Sequence, residues 1–124
     1  MLILFCGDRN WTATQPILDA LHRFNPEHDT IMHGAARGAD SIAGRLATDL
    51  GFAVRIFPAN WELYNKAAGF IRNKQMLDQN PDLVLAFHPD INLSKGTKHM
   101  VRIARAKGTP VEVFSDREVF LRPM

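Results

Sequence analysis

Five short apolar runs are spaced along the chain, at residues 2–6, 30–33, 53–57, 83–87 and 111–114. Each is apolar through most of its length, as strands are when both faces are covered by helices. Stretches of helical periodicity fill the gaps. The first covers about residues 13–24, with Ile17, Leu18, Leu21 and Phe24 on one stripe. Thr12 and Gln15 have capping-box spacing there, and Pro16 suits a first turn. The second covers about residues 39–50, with Ile42, Leu46 and Leu50 four apart and Gly51 as its stop. A third runs over about 66–78 and a fourth over about 96–107, closed by Gly108. A tail at 116–121 reads as one or two further helical turns. Alternation of this kind forces parallel pairing through right-handed crossovers. The expected fold is α/β: one domain, residues 1–124, built on a five-stranded parallel doubly wound sheet with helices on both faces.

Composition narrows the functional classes. Fifteen Lys and Arg against 13 Asp and Glu leave a formal charge of +2, too slight to mark a nucleic-acid binder. The single cysteine, Cys6, excludes an internal disulfide and a cysteine-cluster metal site, and its apolar neighbours make it a buried thiol. No apolar stretch approaches the ~20 residues of a membrane span, and the first residues lead directly into the fold. The expectation is a cytoplasmic protein with no membrane partner and no metal or other cofactor.

In doubly wound sheets ligands bind beyond the carboxyl ends of the strands. Most of the glycine, asparagine, tryptophan and unpaired charge falls on that rim. The run after the first strand is Gly7-Asp8-Arg9-Asn10-Trp11. After the second comes His33-Gly34-Ala35-Ala36-Arg37-Gly38-Ala39-Asp40, after the third Pro58-Ala59-Asn60-Trp61, and after the fourth His88-Pro89-Asp90 and then Ser94-Lys95-Gly96-Thr97. Small residues let backbone approach a ligand, and glycine tolerates positive φ. Helix N-termini offer unpaired N–H groups to an anion, most often a phosphate. Arg9, Arg37, Arg72, Lys95 and Lys98 add cationic donors, with Asp8, Asp40 and Asp90 opposing them. Trp11, Trp61 and Tyr64 are candidates for stacking on a base.

Plainer readings stand beside these. Gly34 and Gly38 serve a tight turn, Asp40 caps the second helix, Arg72 is a solvated surface charge, and Trp61 belongs to the core. His33 and His88 come singly, without the spacing of a metal site. Neither a P-loop nor a Gly-x-Gly-x-x-Gly fingerprint is present.

Taken in order, Gly7-Asp8-Arg9, the run His33 to Asp40, the segment Phe57-Pro58-Ala59-Asn60-Trp61 leading to Ala68-Gly69-Phe70-Ile71-Arg72-Asn73-Lys74-Gln75-Met76, and Ser94-Lys95-Gly96-Thr97-Lys98-His99-Met100 resemble the SLOG superfamily of DprA and LOG-type domains. Within it they are most similar to the small YspA-like, YpsA-related branch. The resemblance covers about residues 1–115. It implies a Rossmann-like sheet, a nucleotide or nucleotide-derived ligand, and relatives in phages and mobile elements. It places a phosphate on the backbone of Gly96 and Thr97, with Arg72 near the ribose or the N-glycosidic bond. LOG-type phosphoribohydrolases carry Gly-Thr-x-x-Glu; here Met100 stands where that glutamate would be, and the preceding Pro-Gly-Gly is absent.

The ligand-binding set expected from residues and resemblance together is Gly7, Asp8 and Arg9; His33, Gly34, Ala35, Arg37, Gly38 and Asp40; Asn60 and Trp61; Arg72 and Asn73; and Ser94, Lys95, Gly96 and Thr97. The first function expected is a sensor or sequestering protein for a nucleotide-derived ligand. The alternative is a hydrolase of an N-glycosidic or phosphate bond, with Arg72 as electrostatic stabiliser and Asp40 or Asp8 as the carboxylate that activates water. A single-stranded DNA-binding module is a further alternative, and a homodimer or higher homo-oligomer is the expected assembly.

Overall fold

A computed structural model describes residues 1–115; the helical tail expected at 116–121 lies outside the described residues. The strands are β1 (Leu2–Gly7), β2 (Thr30–His33), β3 (Ala53–Ile56), β4 (Leu83–Phe87) and β5 (Val111–Phe114). They form one sheet in the order β3-β2-β1-β4-β5, and every pairing is parallel. The helices are α1 (Thr14–Leu21), α2 (Ala39–Asp49), α3 (Trp61–Tyr64), α4 (Ala68–Leu77) and α5 (Gly96–Lys107). The five-stranded α/β sheet expected from the apolar runs is therefore present.

Alternate side chains of β1 supply two separate cores. Ile3 and Phe5 pack with Ile17 and Leu21 of α1 and with Ala43 and Ala47 of α2. Leu4 and Cys6 pack with Met76 of α4 and with Met100 and Ala104 of α5. Both faces of β1 and β4 are thus covered, which explains why their sequences show no polar alternation. The edge strand β3 is more open, with Ile56 exposed.

Several local expectations change. The face that α2 buries is the small-residue stripe Ala39, Ala43 and Ala47, while Ile42 and Leu46 flank it. Small residues let this helix lie close to the sheet; a methyl at Gly44 would come within 3.1 Å of ring carbons of His33. No capping box forms on α1: Ala13 holds the cap position without a side-chain bond, and the Gln15 amide donates to Asp19 instead. That helix ends at Leu21, short of Phe24. The third helical segment is broken into α3, a 3-10 turn at Asn65–Ala67, and α4. Gly108 ends α5 in the left-handed region at φ 87°, as a glycine stop should.

The chain runs outward from β1 through β2 to β3, then returns to the other side of β1 for β4 and β5. Connections leaving the carboxyl ends of β1 and β4 therefore diverge, and a crevice opens between them. Beneath it, Phe87 stacks between Phe5 at 5.8 Å and Phe114 at 4.8 Å and meets the edge of Trp11 at 5.7 Å. Truncating Phe87 to alanine should cost about 3–5 kcal/mol in urea denaturation. Glu112→Gln, which breaks a half-exposed pair with Arg23, should cost less than ~1 kcal/mol in the same measurement.

Candidate functional site

The crevice is a cleft of about 320 Å³ at the carboxyl rim of the sheet. Its walls include Gly7 at the end of β1 with Asp8 to Asn10 after it, Asp40 at the start of α2, Arg72 and Asn73 on α4, and Ser94 to Thr97 at the start of α5. Gly7 is required where these meet, because a methyl there would lie 2.7 Å from the Ala39 side chain and 3.0 Å from the Phe87 carbonyl carbon.

The loop from His33 to Asp40 is held from within. Asp40 is buried inside the first turn of α2, and its Oδ2 accepts the N–H of Gly34 at 3.0 Å and of Ala36 at 3.3 Å. Its carboxylate therefore closes the loop and does not cap α2; Gly38 holds the cap position at φ 74°. Left-handed backbone falls at Gly38 and at Ala35, not at Gly34. The Asp8 carbonyl accepts from both Trp11 and Ala39, and it fills the space that a side chain on Gly38 would need. His33 is buried beneath α2 against Gly44, with its Nδ1 accepting from the Ala35 N–H. Burial, with Arg72 nearby, lowers the His33 pKa and keeps that nitrogen an acceptor.

Gly34 serves Arg72. The guanidinium Nη1 donates to the Gly34 carbonyl, and a methyl at Gly34 would lie 2.7 Å from its central carbon. Arg72 is thus part of the cleft wall and not a solvated surface charge. Asn73, also buried, completes the support. Its Oδ1 accepts from Arg72 Nε at 3.1 Å, and its Nδ2 donates to the Gly96 carbonyl at 3.1 Å and faces His99 Nδ1 at 3.2 Å. One amide therefore ties α4 to the start of α5.

At that start, Ser94 Oγ accepts the N–H groups of Thr97 at 3.0 Å and Lys98 at 3.3 Å. The Thr97 amide assigned to a phosphate by resemblance is already engaged, while no side chain among the described residues takes the Gly96 N–H. Burial dominates the titration of Asp40 and lifts its pKa to about 6 against the pull of Arg72. Burial also pushes the Cys6 thiol upward, so it is not a thiolate nucleophile.

The cleft brings together Gly7, Asp8, Arg9, Asp40, Arg72 and Asn73 with the Ser94–Thr97 turn. His33, Gly34, Ala35, Arg37 and Gly38 do not line it, nor do Asn60 and Trp61. Trp11 is a core residue, 3% exposed, whose indole N–H donates to the Ala13 carbonyl at 2.6 Å. Trp61 is not core: it is 54% exposed, with Gly69 as a neighbour. Among lining residues outside the expected set are Met76, Met100, Ala36, His88 and Leu93. Met76 and Met100 stand four residues after Arg72 and Gly96, so helical spacing could have found them. His88 directly follows β4 on the ligand rim. Leu93 carries no sequence signal.

Fold and cleft together define a doubly wound, Rossmann-like α/β domain with a polar, arginine-bearing cleft at its switch point. Residues 1–64 match the family described as YspA, cpYpsA-related SLOG family. The chain belongs to that family. It is also 39% identical over 124 aligned residues to the Gene 61 protein of Mycobacterium phage D29, covering 93% of this chain and 97% of the phage protein. No solved structure matches it. Family membership points to nucleotide-related ligands. No helix among the described residues is long and apolar enough to cross a membrane.

The titration of Asp40 has a definite sign. Its folded pKa of about 6 lies above the usual 3.8, so its contribution to stability is greatest in acid and is lost as pH rises from ~4 to ~6. Asp40→Asn keeps an acceptor for Gly34 and Ala36 and removes the titration. The stability of this variant relative to wild type should rise by about 2–3 kcal/mol between those pH values and then stay level. Urea denaturation across a pH series checks this.

Proposed function

We propose that the protein holds a nucleotide or nucleotide-derived ligand in this cleft as a sensor or sequestering protein, without cleaving it. The observation that carries the reading is the convergence of Arg72, Asp40 and the start of α5 on one small cleft at the switch point. Arg72 supplies its charge and its open Nη2 for an anionic group, and the α5 start adds its dipole and the cationic Lys95. Met100, fully buried among the lining residues, carries no proton and stabilises no developing cation. Its thioether therefore favours retention over hydrolysis.

A thermal-shift screen with nucleoside monophosphates, cyclic nucleotides, ADP-ribose and NAD tests the reading. A bound ligand at 100 times its Kd should add about 2.7 kcal/mol of stability. Arg72→Ala should weaken binding roughly 10–100-fold. Gly34→Ala should do the same and also cost about 1–3 kcal/mol of stability, because the added methyl displaces a guanidinium that is hydrogen-bonded to the Gly34 carbonyl and to Asn73. Absence of any shift in folded protein would overturn the reading.

Asp40 favours a second reading, a hydrolase. It is a buried carboxylate lining the cleft, with a pKa of about 6, near that of an effective general base. Release of base or phosphate by wild type, lost in Asp40→Asn with binding retained, would put this reading first. No product from any of the nucleotides leaves the non-cleaving reading in place.

A homo-oligomer remains part of the proposal. Ile56, Trp61, Leu63 and Tyr64 are large, exposed and near one another in sequence around the sheet's edge strand. Light scattering should give at least a dimer mass, shifting toward the monomer in Leu63→Lys.

A further inference from the structure

The cleft pairs two open polar atoms with an absence, among the described residues, of large aromatic rings. Asp40 spends only Oδ2 on the protein; Oδ1 of this buried carboxylate has no partner among the described residues. Arg72 spends Nε and Nη1, and Nη2 has no hydrogen-bond partner among them. The first calls for donors such as hydroxyl groups, the second for an anion. Among the described residues no Phe, Tyr or Trp lines the cleft, and the one ring in its wall is the His88 imidazole. Trp11 is sealed in the core, and Trp61 and Tyr64 lie outside the lining. The exposed large apolar side chain at the cleft is Leu93, 81% exposed, an aliphatic group that can cover any base without selecting one. At about 320 Å³ the cleft also sits at the small end of the ~300–1,000 Å³ range for ligand pockets.

Resting on the nucleotide reading above, we propose that the cleft recognises the phosphorylated pentose of its ligand and leaves the base outside, unread. Arg72 and the start of α5 take the phosphate, Asp40 takes sugar hydroxyls, and the base emerges past Leu93. Purine and pyrimidine nucleotides are then equivalent ligands, and the sugar phosphate alone suffices.

Isothermal titration of the full chain with AMP, GMP, CMP, UMP, ribose 5-phosphate and adenosine tests this. The expected result is four nucleotide affinities within about threefold of one another, ribose 5-phosphate within about tenfold, and no measurable binding of adenosine. Trp61→Ala, an exposed position outside the cleft lining, should leave AMP affinity within about threefold of wild type. One nucleotide preferred by more than about tenfold, or nucleotides binding where ribose 5-phosphate does not, would overturn base-blind recognition and leave the nucleotide reading standing. So would a loss in Trp61→Ala confined to base-bearing ligands, which would place the base on that indole. Failure of every phosphorylated compound would overturn both.

Discussion

Arg72 lies across the Gly34 carbonyl, and the cleft takes its shape from that contact. A guanidinium next to the sheet must satisfy its donors in fixed directions, since its fork is planar and rigid. One arm goes to the loop after β2, and Nε goes to Asn73 on the same helix. Asn73 hands the constraint on to the Gly96 carbonyl. Three elements distant in sequence are thereby held at one distance. The absence of a side chain at Gly34 is the condition for all of it.

The carboxylate of Asp40 works from the other side. It organises the Gly34–Ala36 backbone from within and carries an electrostatic cost for being there, visible in its raised pKa. Arg72 offsets part of that cost through space, although the only ion pairs among the described residues are at Asp29 and Glu112. A charge kept buried with an open lone pair is expensive to maintain, and such groups gather at functional sites.

The sheet was legible because its evidence is local and repeated: runs such as Leu83–Phe87 can be little other than covered strands. The rim followed from strand polarity alone. The failures share a cause in tertiary contact. Asp40 has the chemistry of a cap, and only the folded loop shows that its partners are Gly34 and Ala36 behind it. Trp11 sits among rim residues in sequence, but Phe87, far along the chain, draws it inward. The small stripe of α2 gives a weaker sequence signal than Ile42, Leu46 and Leu50 beside it, because closeness to a sheet selects for lack of volume. The glycines of the His33–Asp40 run suggest close approach of a ligand, and in the folded chain what approaches Gly34 and Gly38 is Arg72 and the backbone of Asp8 and Arg9.

The strand order carries a consequence for how the molecule comes apart. The first three strands with α1 and α2 form one continuous stretch of chain, and β4, α5 and β5 form another, joined side by side along β1 and β4. Asp40 belongs to the first stretch and the Ser94–Thr97 turn to the second. The cleft is thus a seam between two halves, and any occupant that touches both acts as a rivet across it. Partial opening of either half would abolish the pocket, so occupancy would suppress sub-global unfolding as well as global unfolding.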